Sequence, residues 1–158
     1  MFHALATFIL AYVLCRWLSF ELKQKPDFRR YGAWLGGAVL LPVLASFVSL
    51  AFGGKVGNFI LHSVGGGVAS TFLFFYLLKT FGFRLVWRLE FVFLFAFVST
   101  LGVLNELAEY AYELLHLGIL SFDPHDTWRD LLANAVGAVV AWLVIRTFYR
   151  LRWKPLIR

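Results

Sequence analysis

Residues 88–116 read RLEFVFLFAFVSTLGVLNELAEYAYELLH. No charged side chain lies between Glu90 and Glu106. A helix over the whole stretch would be about 43 Å long at roughly 1.5 Å per residue, which exceeds the ~30 Å hydrocarbon core of a bilayer. The stretch therefore reads as a membrane span with Glu106, Glu109 and Glu113 near one end. The rest of the chain agrees. Of 158 residues, 61% are apolar, 19% aromatic and only 15% charged, against about 45–50% apolar and about 25% charged in soluble domains. A soluble protein of this size lacks the polar side chains to cover so much apolar surface, so lipid is its expected solvent.

Working outward, further apolar runs cover 1–20, 31–52, 58–79 and 129–150. Helix-breaking residues separate them: Lys23 to Asp27 with Pro26, Gly53-Gly54-Lys55, the turn near Gly82, and Phe122-Asp123-Pro124. The expected fold class is all-α, a polytopic integral membrane protein with a bundle of five transmembrane helices in one domain over 1–158. No Lys or Arg precedes the first run, so it reads as a retained helix rather than a signal peptide. Cys15 is the single cysteine, which excludes an internal disulfide, and no Cys/His spacing suggests structural zinc.

Charge gives the orientation. On alternate ends of five spans, thirteen of the 15 basic residues fall on one side, with Lys55 and Arg129 alone on the other. By the positive-inside rule the N-terminus is then outside and the C-terminus cytoplasmic. The net charge of +6 is a topology and headgroup signal, and no nucleic acid is implied. Six of nine acidic residues, and all four histidines, collect toward the outer ends.

Three helices thus bring polar chemistry to one membrane level. His62 lies one turn into the third span, at a depth of about 6 Å. Glu106, Glu109 and Glu113 share one face of the fourth. Asp126, Asp130 and Asn134 follow at steps of four on the fifth, with Arg129 beside them. Intramembrane carboxylates cost about 2.5–3.5 kcal/mol each and need a compensating environment. Some have a structural explanation: Asp126 and Thr127 are natural N-cap residues, Asp130 suits a helix N-terminus, and Glu113, Asp123, His116 and His125 adjoin a solvated loop. Glu106 and Glu109 have none, because they sit at the unfavourable end of the helix dipole. His62, Glu106, Glu109 and Asp130 are therefore the candidate ligands of a divalent metal. Oxygen ligands favour Mg²⁺, Ca²⁺ or Mn²⁺, and an imidazole admits Zn²⁺ or iron. The same Glu106, Glu109 and His62 are candidate acids or bases. No haem or nucleotide is expected. Gly65-Gly66-Gly67, Ala133/Gly137/Ala141 and His3/Thr7/Ala11/Cys15 mark close helix contacts.

His62 with its glycine triplet, Asn105-Glu106-Leu-Ala-Glu109-Tyr110, and Asp126-Thr127-Trp-Arg-Asp130-Leu-Leu-Ala-Asn134 together resemble the VanZ-like superfamily, closest to its YjdF-type branch of prokaryotic membrane proteins. The resemblance covers about residues 58–145 and is most specific in its last motif. It implies matched positions at His62, Glu106, Glu109, Asp126, Asp130 and Asn134, and a role in the cell envelope of a prokaryote, in its cytoplasmic membrane. Glu113, Asp123 and His125 are additions of this chain.

The sequence thus leads to a polar, candidate metal-binding pocket facing the outer leaflet, which binds or processes a lipid or lipid-linked envelope component. Asp126, Asp130, Asn134, Arg129 and Lys55 are the candidate substrate contacts, the two cations being suited to a phosphate. Whether it is an enzyme stays open. One alternative is a non-catalytic subunit packed through Gly- and Ala-rich faces against other membrane proteins or itself, with its carboxylates hydrogen-bonded to neighbouring helices. A proton-coupled transporter is a third, but the inner halves of the spans carry few polar residues for it.

Overall fold

A computed structural model describes residues 2–25, 27–115 and 124–152, and among these it contains five helices and no strand. The helices are α1 (Phe2–Glu21), α2 (Gly32–Phe52), α3 (Gly54–Thr80), α4 (Trp87–Leu114) and α5 (Pro124–Arg152). Four of them, α2 to α5, contain stretches long and apolar enough to cross a membrane. The expectations for His116 and Asp123 fall outside the described residues, as do the side chains of His3, Thr7 and Glu113.

Two helix starts differ from the sequence reading. The break at Gly53-Gly54-Lys55 is a single residue wide. Gly53, with φ of 63°, ends α2 by donating its N–H to the Ser49 carbonyl (2.8 Å), and Gly54 already begins α3. The positive φ is a conformation that glycine adopts without steric cost. The fifth helix starts at Pro124 instead of 129, so Asp126 and Thr127 lie inside its first turn and are not the cap. Proline suits a first helical position because its ring presets φ and its missing N–H would have had no helical partner.

The central element is α3. Leu73, Tyr76 and Leu77 on one side pack with Ala11 and Cys15 of α1 and Ala38 of α2. Phe74 and Phe75 on the other side pack with Leu94 and Val98 of α4 and Ala138, Trp142 and Ile145 of α5. The small residues expected at helix contacts hold those places: Ala11, Cys15, Ala133, Gly137 and Ala141 are all buried. The outer faces are apolar and exposed, as in the row Leu40, Leu44 and Phe47 along α2, which fits a protein whose solvent is lipid.

The tightest contact joins α3 to α5. At Gly67 an added Cβ would strike the Asn134 carbonyl oxygen, and at Gly137 it would strike that of Ser63. Both obstacles are backbone, so only glycine permits this approach. Within it, residues Leu61–Val68 of α3 form a π-helical turn, a widening that recurs at functional sites. Neither the glycine triplet nor the hydropathy pattern signals this change of winding.

At the opposite end of the bundle, Glu90 in the first turn of α4 is 8% exposed. It accepts a hydrogen bond from Trp142 Nε1 (3.0 Å) and lies 2.8 Å from Arg146 Nε. The sequence reading used Arg146 and Glu90 only as markers of topology. Glu90→Ala should lower stability by about 2 kcal/mol, since it leaves a buried indole N–H without its acceptor; Arg146 is partly exposed and adds less. Thermal unfolding of the purified variant checks this, and a change under about 0.5 kcal/mol would assign the pair no structural weight.

Candidate functional site

The site lies where the α3–α5 contact meets the acidic end of α4. The two helices α3 and α5 run parallel: Asn58 and His62 face Asp130, and one turn further along Gly66 faces Asn134. Helix α4 runs the other way, placing Gly102 beside Asn134 and Glu106 beside Thr127. The polar residues therefore form successive layers about one helical turn apart, floored by two glycines and an asparagine.

Asp130 is the centre of the first layer and is 5% exposed. Its Oδ1 accepts a hydrogen bond from Asn58 Nδ2 at 2.8 Å, and its Oδ2 lies 3.2 Å from His62 Nε2. The side chains of His62 and Asp130 are only 11% and 7% exposed. Glu106 reaches in from α4. One ligand atom from each of His62, Glu106 and Asp130 lies within 4.8 Å of the other two. Thr127 hydrogen-bonds the Glu106 side chain, yet Glu106 Oε1 is buried without a hydrogen-bond partner. Buried carboxylate oxygens without partners are uncommon because the desolvation cost stays unmet.

The remaining expected residues take other places. Glu109 is turned along its own helix and accepts a 2.6 Å hydrogen bond from Asn105 Nδ2. It is not in the converging triad, although Glu106, Glu109 and Asp126 all lie close enough to act electrostatically on Asp130. Asn134 is buried one turn deeper, with its Oδ1 lacking a hydrogen-bond partner and its amide against Gly66 and Gly102. Asp126 is half-buried, and Lys55, Arg129 and His125 are exposed. The sequence reading missed Asn58 as a member of this layer. Its position four residues before His62 put it on the same face of α3, and that spacing was the available signal.

Chemically, two carboxylates and an imidazole converging at low exposure, with further acids nearby, make a site of excess negative charge and few solvent contacts. A cation relieves that repulsion. Zinc bonds to histidine and carboxylate ligands run about 2.0–2.2 Å, so ligand atoms on one ion lie at most ~4.4 Å apart, and the triad closes on one with shifts under about 1 Å. Three protein ligands leave a coordination position open for water or substrate, which distinguishes catalytic from structural zinc sites.

Residues 55–151 match the model of a family described as "Predicted membrane protein (DUF2238)". The matched segment contains every residue of the triad and its surrounding layers, and it leaves out α1 and α2. No curated protein and no solved structure matches the chain.

Proposed function

Since the chain belongs to this family of predicted membrane proteins, we propose that it is a divalent-metal-binding membrane protein acting on a lipid or lipid-linked component of the cell envelope. The carrying observation is the convergence of His62, Glu106 and Asp130 from three different helices to within 4.8 Å. In this reading Glu106 and Asp130 supply carboxylate oxygens and His62 its Nε2. Asn58 orients Asp130 by holding its other oxygen, as hydrogen-bonded partners of metal ligands do. The unpartnered Glu106 Oε1 gains in the ion the partner it lacks. A metal there would polarise a headgroup phosphate or carbonyl oxygen, or lower the pKa of a bound water. Glu109 is then the nearby base, and the exposed Lys55 and Arg129 are the cations that meet a phosphate.

The distribution of Lys and Arg supports five spans with the N-terminus outside, which turns the triad toward the outer leaflet. The motif resemblance to VanZ-like proteins supports placement in a prokaryotic cytoplasmic membrane. Equilibrium dialysis of the purified protein against Zn²⁺ and against Mn²⁺, followed by elemental analysis, should give one ion per chain that EDTA removes. Retention no higher than in a His62→Ala/Glu106→Gln/Asp130→Asn triple variant would overturn the metal reading.

The second reading, a packed non-catalytic subunit, is favoured by one observation: the Asn58 to Asp130 hydrogen bond already joins α3 to α5. Under it, Asp130→Asn would lower stability and leave metal content at background in both proteins.

A further inference from the structure

Far from the triad, at the end of the bundle that carries the α1–α2 loop, a cleft opens between α1, α2 and α3. Its volume is about 230 Å³, and Ala11, Tyr12, Cys15, Phe28, Leu35 and Tyr76 form its walls. Ala11 and Cys15 are small and buried, so their side of α1 is recessed, and the Tyr76 ring, 2% exposed, closes the back. The cleft runs along α1, because Ala11 and Cys15 are one turn apart, as are Tyr12 and Arg16.

Arg16 lines the loop-side end of the cleft. It is exposed and makes no ion pair among the described residues. The loop beyond it carries Lys23, Lys25, Arg29 and Arg30, against which Glu21 and Asp27 are its only acids. The cleft therefore has an apolar trough of about 230 Å³ and a cationic rim at the end where α1 leaves the apolar layer. We propose that it is a binding site for an anionic phospholipid, with one acyl chain lying along Ala11, Cys15 and Leu35 and the phosphate paired with Arg16. Apolar walls accept the chain without any hydrogen-bond requirement. The phosphate gains from the guanidinium a bidentate, charge-assisted partner, and the loop cations add long-range attraction. A zwitterionic lipid has the same chain and phosphate, but its own cation offsets the attraction to the loop. Apart from Tyr76, its lining residues lie outside the segment that matches the family, and the site does not depend on the metal reading.

The test uses the full chain in bilayer nanodiscs doped with phosphatidylglycerol bearing a photoactivatable acyl chain, with the same probe on phosphatidylcholine as control. Cross-linked peptides from wild type should concentrate at Tyr12, Phe28 and Leu35, with the phosphatidylglycerol probe in excess over the control. Arg16→Gln should cut that excess by about fivefold, the effect expected of one interfacial cation, and Arg16→Lys should keep most of it. Arg16 is exposed, so the substitution leaves the fold intact, and an unchanged unfolding temperature confirms it. Labelling spread evenly over lipid-facing residues such as Phe47 and Leu50, equal labelling by the two probes, or an Arg16→Gln variant that labels like wild type would each overturn the proposal.

Discussion

Asp130→Asn should abolish stoichiometric metal binding, with affinity for Zn²⁺ reduced by at least about 100-fold, while the protein remains folded. The substitution keeps the volume of the side chain and leaves an oxygen able to accept from Asn58 Nδ2, which donates to Asp130 Oδ1 over 2.8 Å. What it removes is the charge and the oxygen facing His62 Nε2. Changes to residues that merely orient ligands already cost about 10–100-fold in metal affinity, so the loss of a ligand belongs at or beyond the upper end. Glu106→Gln should show a comparable loss, since it withdraws the carboxylate contributed by α4. Glu109→Gln should show much less, because Glu109 is engaged with Asn105 and stands outside the triad. Isothermal titration of the three variants with Zn²⁺ separates them, and equal losses at positions 106, 109 and 130 would mean that the effect is general negative charge and not ligation.

Gly137→Ala should be the most destabilising single methyl addition among the helix contacts described, at about 3 kcal/mol. Alanine is normally better than glycine inside a helix by about 1 kcal/mol. Here the new methyl would meet the Ser63 carbonyl of α3, and its next nearest atoms are the backbone C and Cα of the same residue. Backbone inside a helix cannot rotate aside as a side chain does. The strain must part α3 from α5, and that separation also widens the gap between His62 and Asp130, so metal affinity falls with stability. Gly36→Ala is the control: nothing lies within 4 Å of the added carbon, and its effect should be neutral to slightly stabilising. Unfolding midpoints of the two variants in detergent test the pair, and similar values would show that the close α3–α5 approach carries no energetic weight.

The helices were legible in the sequence because lipid imposes one requirement on nearly every residue of a span, and that requirement shows as runs of Phe, Leu and Val. Residues 88–116 became a helix over Trp87–Leu114, and 31–52 became Gly32–Phe52. The ends were less legible where conformation and not hydropathy decides them, as at Gly53 and Pro124. Within the site, His62, Glu106 and Asp130 stood out because each is a costly residue at a similar depth on a different helix. Their convergence required knowing that α3 and α5 run parallel in contact, for which the glycines at 66, 67 and 137 were the sequence signal. Glu109 stands outside the triad: helical phase puts it on the same face as Glu106, but the neighbouring Asn105 holds one of its oxygens along its own helix. The π-helical turn arises from packing between helices, and no single-helix periodicity encodes it; the four-residue spacing puts Asn58 on the His62 face but does not name its partner, Asp130 of another helix.

X-ray absorption at the zinc edge of the purified, zinc-loaded wild-type protein tests the triad most directly. Coordination by His62, Glu106 and Asp130 requires a nitrogen and oxygen shell at about 2.0–2.2 Å, with imidazole scattering beyond it that disappears in His62→Ala. A spectrum of oxygen ligands alone, a sulfur contribution from Cys15, or an imidazole signal that survives His62→Ala would contradict it.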